Sequence, residues 1–362
     1  MKLSIPDSIL SIKPYKPGKP LEELEREYGI DRSIKLASNE NPLGPSPMAV
    51  KAIQEAVGKL NRYPDGSGHD LIQKISEHLG VSPNNIILGN GSDEIIGMLA
   101  CVLLRSGDEA ILPQPSFLMY EIMIRFADAT PVFVPLTDLA IDLKEIKASI
   151  TSKTRMVFLC NPNNPTGTVI SQKDFEDFME SIPPEVVVVV DEAYFEFVRD
   201  LKKCASSIEY LDENRPLVTL RTFSKVYGLA GLRIGYGIMP ATIAGLLNRV
   251  RQPFNANSLA QVGAKAALDD KNFLKKTLTL TYEGLDFLYA ELDRLGIKYF
   301  PTQTNFFLID VEKNADEVFE SMLRHGVIIR SMASYGYPRY IRINVGLKEE
   351  NSRFIEVLEK VL

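Results

Sequence analysis

Lys225 stands where an amine could react. It follows the apolar run Pro216 to Leu220, sits beside the hydroxyls of Thr222 and Ser224, and precedes Arg233, which lies among Gly228, Gly231 and Gly235. A lysine in a tight, glycine-flanked turn at the end of a buried strand can form an imine, and hydroxyls with a guanidinium suit a phosphate. The same spacing fits a solvated surface lysine, so the reading depends on matching groups elsewhere in the chain.

Other segments supply such groups. Gly89-Asn90-Gly91-Ser92-Asp93-Glu94 follows a strand-like run and opens a helix. Its glycines let backbone amides approach an anion, and a helix N-terminus favours negative charge. Ser92 is also placed as the N-cap of that helix. Phe117, after Pro113-Gln114-Pro115-Ser116, would sit at the end of the next strand, either as core packing or as a stacking ring. The turn Cys160-Asn161-Pro162-Asn163-Asn164-Pro165-Thr166-Gly167 holds more asparagine than a plain turn needs, so a fixed amide donor is expected there. The apolar run Val186 to Val190 passes directly into Asp191-Glu192-Ala193-Tyr194. A carboxylate at the end of a buried strand is costly without a cationic partner or good hydrogen bonds. Asp191 is therefore expected to meet a positive charge, from a structural ion pair or from a protonated ligand nitrogen. The loop from Lys35 to Pro47, rich in turn formers and amides, either leads into the next helix or lends polar groups such as Asn39 to a pocket.

These groups must be positioned by regular elements. Short apolar strands at Asn85–Leu88, Ala110–Leu112, Pro131–Val134, Met156–Leu159 and Val186–Val190 alternate with helices at Ser92–Arg105, Phe117–Phe126, Asp142–Ile150 and Ser171–Ser181. That alternation implies an α/β fold whose mostly parallel sheet is covered by helices. Ligands bind at the carboxyl ends of such strands. Beyond Gly237 the texture changes to helices at Ala241–Arg251, Asn257–Leu268 and Asn272–Leu295. Strands are then expected at Ile297–Phe300, Phe306–Ile309, Val327–Ile329 and Tyr340–Val345, with helices at Ala315–His325 and Glu349–Leu362. The expected organisation is an N-terminal arm and helix (1–30), a large domain (31–250) and a smaller α+β domain (251–362). The arm, Lys13 to Pro20, is kept extended by its prolines, and a short helix is expected at Leu21–Tyr28.

Composition narrows the function classes. Of 362 residues, 45% are hydrophobic and 24% charged, enough for a substantial core; the net charge of −6 gives no reason to expect nucleic acid. Cys101, Cys160 and Cys204 are too widely spaced for a zinc site, and Cys101 and Cys160 read as core residues. No run suits a signal segment or a membrane span, so a cytoplasmic protein is expected. No Walker A sequence is present, and Glu94 stands where a dinucleotide fingerprint needs glycine, which disfavours a nicotinamide dehydrogenase.

An anion nest, a stacking ring, an amide, an acid, a tyrosine and a lysine with hydroxyls and an arginine together match the needs of pyridoxal phosphate. The ordered set Ile12-Lys13-Pro14-Tyr15, Asn39-Glu40-Asn41-Pro42, Tyr63-Pro64-Asp65, Gly91-Ser92-Asp93-Glu94, Asn163-Asn164-Pro165-Thr166-Gly167, Asp191-Glu192-Ala193-Tyr194, Ser224-Lys225, Gly231-Leu232-Arg233 and Arg342-Ile343-Asn344-Val345-Gly346 spans nearly the whole chain. In it the sequence resembles the fold-type I aminotransferases and, among them, the histidinol-phosphate aminotransferase family. The resemblance implies a cofactor, pyridoxal 5′-phosphate, bound as an imine to Lys225, with Asp191 on the ring nitrogen and Asn164 and Tyr194 on the ring oxygen. It implies Phe117 stacked on the ring, where many relatives carry tyrosine. It implies a phosphate held by the backbone at Ser92 and Asp93, by Thr222, Ser224 and Arg233, and by Tyr63 reaching across a homodimer. Arg342 would clamp the amino-acid carboxylate, Arg330 the substrate phosphate or the distal carboxylate of glutamate, and Tyr15 and Asn39 would line the same pocket. The implied reaction exchanges an amino group between glutamate, leaving as 2-oxoglutarate, and histidinol phosphate. Aromatic amino-acid transamination, threonine-phosphate decarboxylation and a non-catalytic regulator on the same fold are the alternatives.

Overall fold

The computed structural model describes residues 4–14, 26, 29 and 33–362. Tyr15 lies outside the described residues, as does the expected helix over 21–28 apart from Arg26. The strands are β1 (Ile34–Lys35), β2 (Ile86–Gly89), β3 (Glu109–Gln114), β4 (Thr130–Pro135), β5 (Thr154–Cys160), β6 (Val187–Asp191), β7 (Leu217–Thr222), β8 (Gly235–Ile238), β9 (Lys298–Phe300), β10 (Phe306–Asp310), β11 (Val327–Ile328), β12 (Arg330–Ser331) and β13 (Tyr340–Asn344). The helices used below are α1 (Pro47–Ala56), α2 (His69–Leu79), α3 (Ser92–Leu103), α4 (Met119–Phe126) and α5 (Lys271–Leu295).

Seven strands form the main sheet in the order β2-β8-β7-β6-β5-β3-β4. All run parallel except β8, which is antiparallel to both β7 and β2. The continuous valine run of β6 is explained by burial on both faces. Val187 and Val189 pack into one core with Ile95, Leu99 and Phe158; Val188 and Val190 pack into another with Val157, Leu159 and Phe175. The second sheet, β12-β13-β10-β9, is antiparallel, and β1 pairs in parallel with β11. Its core joins Phe307, Ile309, Ile341 and Ile343 to Leu285, Leu288 and Leu292 of α5, and takes in Ile34 and Leu36 from early in the chain.

Local chemistry fixes the ends of these elements. Ser46 Oγ accepts from Ala49 N at the start of α1, which has Pro47 in its first turn. Asp270 caps α5 through Phe273 N, and Gly296 stops it in the left-handed region. Several elements were not anticipated, α2 and β8 among them. Helix α2 buries only Leu71 and Ile75, and β8 runs through a glycine-rich stretch. Cys101 is exposed on the outer face of α3 rather than in the core, while Ile95, Ile96 and Leu99 of that helix face inward. Among the described residues no helix is long and apolar enough to cross a membrane.

Candidate active site

Register brings the expected groups to one rim of the main sheet. Cys160 ends β5 opposite Asp191, Asp191 pairs with Leu220, and Thr222 at the end of β7 lies opposite Gly235, which also pairs with Gly89. The loops leaving these positions enclose a cavity lined by Ser92, Asp93, Phe117, Asn164, Asp191, Tyr194, Thr222, Ser224, Lys225 and Arg233, together with Cys160, Ala193 and Ala230.

One end of the cavity is built for an anion. Helix α3 points its N-terminus there, with Gly91 at the cap position (φ 81°). Ser92, expected as the cap, is instead the first helical residue, because only a glycine tolerates the turn that feeds it. A Cβ on Gly91 would lie 2.5 Å from Arg233 Nη2, and one on Gly235 would lie 2.5 Å from Ser92 N. Two missing side chains thus let a guanidinium and the start of a helix converge. Arg233 adopts the left-handed region (φ 55°). Its Nη1 donates to Ser224 Oγ at 3.4 Å and to Ala230 O at 3.2 Å, and its Nη2 reaches Asp93 Oδ2 at 3.3 Å. Thr222 Oγ1 donates to Ser224 Oγ at 2.9 Å and accepts from Ser224 N at 3.0 Å.

The other end presents the acid. Asp191 is 4% exposed. Oδ2 accepts from Tyr120 OH at 2.8 Å and Oδ1 from Ala193 N at 3.1 Å. Among the described residues it forms no ion pair, and burial pushes its carboxyl up to about 6 against the two hydrogen bonds that favour the charge. The expected positive charge is therefore not supplied by a side chain among the described residues. Glu192, the next residue, is wholly different: its Oε2 takes Arg221 Nε at 3.0 Å and Nη2 at 2.7 Å, and its Oε1 takes Ser207 N at 2.6 Å and Ser207 Oγ at 2.7 Å.

Between the ends, Lys225 Nζ donates to Ser38 O at 3.4 Å and lies 5.6 Å from the centre of the Tyr194 ring. Tyr194 OH accepts from Asn39 Nδ2 at 2.9 Å, and burial pushes its phenol up. Asn39 is buried in the left-handed region (φ 55°) and is also held by Asn344 Oδ1, which accepts from its backbone N at 3.0 Å. Asn164 Oδ1 accepts from Arg342 Nη1 at 2.5 Å, and Arg342 Nη2 donates to Ala37 O at 2.9 Å. Arg342 lies over Phe306 and faces Arg330 across β13 and β12 in direct register. Arg330 is half-buried and does not line the cavity; nor does Tyr63, which is 82% exposed and stacks on Phe254 at 4.7 Å.

Tyr120 was missed by sequence reasoning. It sits on α4, fully buried, stacked on Phe158 at 4.8 Å and edge-on to Phe117 at 5.6 Å. From sequence it reads as one more core aromatic; only the fold reveals that its hydroxyl meets Asp191.

A doubly covered parallel sheet with a lysine, an uncompensated acid and an anion cradle at its carboxyl edge defines a class of group-transfer enzymes, and comparison with known proteins agrees. The family model for aminotransferase class I and II matches residues 31–358. A histidinol-phosphate aminotransferase of Desulfotalea psychrophila is 50% identical over 366 residues, covering 100% of this chain and 96% of its own. Histidinol-phosphate aminotransferase 2 of Carboxydothermus hydrogenoformans is 49% identical, covering 97% of each. The crystal structure of histidinol-phosphate aminotransferase from Sinorhizobium meliloti in complex with pyridoxal-5′-phosphate is similar with a TM-score of 0.89 at 29% identity, covering 98% of this chain and 97% of that one. The chain belongs to the class I and II aminotransferases and, within them, to the histidinol-phosphate aminotransferase family.

Proposed function

We propose that this chain is a pyridoxal-phosphate-dependent transaminase that moves the amino group of glutamate to imidazole-acetol phosphate, giving 2-oxoglutarate and histidinol phosphate, and that it works in the cytoplasm. The observation that carries the cofactor reading is Asp191. A buried carboxylate that faces the cavity and forms no ion pair among the described residues fits a ligand that brings its own positive charge, as a protonated pyridine does. The cradle at Gly91, Ser92, Gly235 and Arg233 fits the phosphate of the same ligand.

When bound, pyridoxal phosphate supplies an aldehyde and an electron-withdrawing pyridinium ring. The chain's own residues would do the rest. Arg233, Ser224, Thr222 and the first amides of α3, at Ser92 and Asp93, hold the phosphate. Asp191 keeps the ring nitrogen protonated. Phe117 covers a ring face, and Asn164 and Tyr194 turn donors toward the ring oxygen. Lys225 would provide the amine that retains the cofactor and the base that moves a proton at the substrate Cα. Arg342 Nη1 and Nη2, now on Asn164 and Ala37, are the parallel donors a substrate carboxylate takes. Arg330, directly opposite, adds charge for a substrate phosphate or a second carboxylate. Asn39, held against Tyr194, would line the substrate side, and the resemblance assigns Tyr15 to the same pocket.

Tyr63 completes the phosphate site of a second copy in a homodimer. Its 82% exposure supports this role, as do the exposed apolar neighbours Leu60, Val57 and Phe254. Equilibrium sedimentation of the wild type tests the dimer, and a Tyr63→Phe loss of cofactor affinity tests the contact.

The substrate is tested by kcat/KM for histidinol phosphate, phenylalanine and tyrosine, each with 2-oxoglutarate. Histidinol phosphate is expected to lead. A clear lead for the aromatic amino acids would replace this reading with that of an aromatic aminotransferase.

A further inference from the structure

The Asp191 carboxylate closes β6 and is approached from several elements. The titratable groups facing it are Tyr120 on α4, Cys160 at the end of β5 and Asp93 at the start of α3, with its neighbour Glu192 acting through the field from the other face; Tyr194, Lys225 and Arg233 line the same cavity. Cys160 Sγ is turned to Pro162 O at 3.3 Å, and burial pushes its thiol up, so it stays neutral. Asp93 and Glu192 oppose ionisation of Asp191. Two donors favour it, and one, Ala193 N, belongs to the backbone. The other is the Tyr120 hydroxyl, which donates to Asp191 Oδ2 and lies beside the Cys160 thiol.

We infer that Tyr120 is a positioning residue for the ring-nitrogen acid: its hydroxyl fixes Asp191 in one orientation and in the ionised form, and so sets the lowest pH at which the cavity holds pyridoxal phosphate. The inference rests on the cofactor reading above. Its basis is geometric. The Tyr120 ring cannot swing, because it is stacked on Phe158 with an interplanar angle of 10° and meets Phe117 at 84°. With Oδ2 occupied at 2.8 Å and Oδ1 at 3.1 Å, the carboxylate keeps one orientation and turns its remaining lone pairs to the cavity. Burial pushes the phenol far above its ordinary range, so it remains a neutral donor at every working pH. The same aromatic contact reaches Phe117 on the cavity wall, so the acid and the expected stacking face are braced by one ring.

The sign follows from the hydrogen bond. A donor to the charged form lowers the pH at which the carboxyl takes a proton, so Tyr120→Phe moves that pH upward from about 6. A hydrogen bond to a charged group corresponds to a rise of roughly 1 to 2 pH units. Only the ionised acid pairs with the ring nitrogen. The dissociation constant of pyridoxal phosphate should therefore weaken about 3- to 25-fold relative to wild type at about pH 6.5, and by less than about 1.5-fold at about pH 8.5. Titrations of the cofactor itself cancel in the ratio.

The experiment measures cofactor affinity by fluorescence titration of full-length apoprotein, wild type and Tyr120→Phe, from about pH 6 to pH 9. A ratio that grows as pH falls supports the inference. A ratio of one throughout, or a constant ratio at every pH, overturns it, the latter marking a purely structural residue. If Tyr120→Phe does not fold, Tyr120→His, which keeps a ring donor, is compared with Tyr120→Leu, which does not. A pH-dependent loss in the leucine variant alone supports the inference, and equal losses overturn it. Wild type that binds no pyridoxal phosphate would refute the cofactor reading instead, which keeps the two failures apart.

Discussion

Substituting Asp191 by asparagine should make the empty protein more stable. Asp191 is fully buried, lacks a cation among the described residues, and titrates at about 6 instead of 3.8. The native state therefore holds its proton more tightly than the unfolded chain does. Stability contributed by this group is highest at low pH and falls as pH rises from about 4 through 6. Above that window the cost is complete, roughly 3 kcal/mol at about 1.4 kcal/mol per pH unit. Asparagine removes the charge and keeps the shape. Its Oδ1 can accept from Ala193 N, and its Nδ2 can donate to the Tyr120 hydroxyl oxygen, so both present contacts survive in altered polarity. Urea unfolding of cofactor-free protein should place Asp191→Asn above wild type by about 3 kcal/mol at pH 8, by roughly half that at pH 5 and by little at pH 4. Saturating pyridoxal phosphate should reverse the order at pH 8, because only the carboxylate repays its burial by pairing with the ligand. An apoprotein variant that is less stable at pH 8, or a difference that does not change with pH, would refute the view of Asp191 as an uncompensated charge awaiting a cationic ring.

The remaining predictions concern the supports of the site. Gly235→Ala places a Cβ 2.5 Å from Ser92 N, which should push the start of α3 outward; overpacking of about 1–3 kcal/mol is expected, with cofactor affinity at least about tenfold weaker by titration. Glu192→Gln removes the nearer of two carboxylates from the buried Arg221 guanidinium, which keeps Glu196 Oε1 at 3.8 Å, and should cost up to about 3–5 kcal/mol in urea unfolding. Arg342→Lys loses the paired donors now seen on Asn164 and Ala37 and should raise KM for the amino donor by about 100-fold in steady-state assays, with cofactor affinity little changed. Lys225→Ala should abolish turnover and the absorbance of lysine-bound cofactor, since no other amine lines the cavity among the described residues.

The strand ends were legible in the sequence for a physical reason. A strand buried on both faces is a continuous apolar run, so its last residue is marked where the run breaks, as at Val190 to Asp191. Ten of the residues expected to hold the cofactor line one cavity because each follows such a break or the glycine turn after it. The contacts among them were not legible. Tyr120 meets Asp191 across 71 residues, and Arg342 meets Asn164 across 178; no local pattern encodes either. Strand β8 was hidden because its glycines read as a turn. They remain in a strand because hydrogen bonding to β7 and β2 holds them extended, while the missing Cβ of Gly235 admits the start of α3.

The adjacent acids Asp191 and Glu192 show where sequence reasoning stops and packing decides. Both follow the same valine run, and either could have served a ligand. Strand alternation sends them to opposite faces. Glu192 meets Arg221, Ser207 and, through Ser207, Thr219, a network that satisfies its charge within the protein and ties β6 to β7. That network places Thr222, the residue after Arg221, at the rim beside the anion cradle. Asp191 receives only two neutral donors and keeps its charge unbalanced toward the cavity. The paired acid fixes the frame, and the unpaired one can act, because a carboxylate already neutralised by arginine would have nothing left to offer a protonated ring. The cost of leaving Asp191 uncompensated, like the left-handed backbone at Arg233 and Asn39, falls on groups that face the ligand, while the network of Glu192, Arg221 and Ser207 beside them is satisfied.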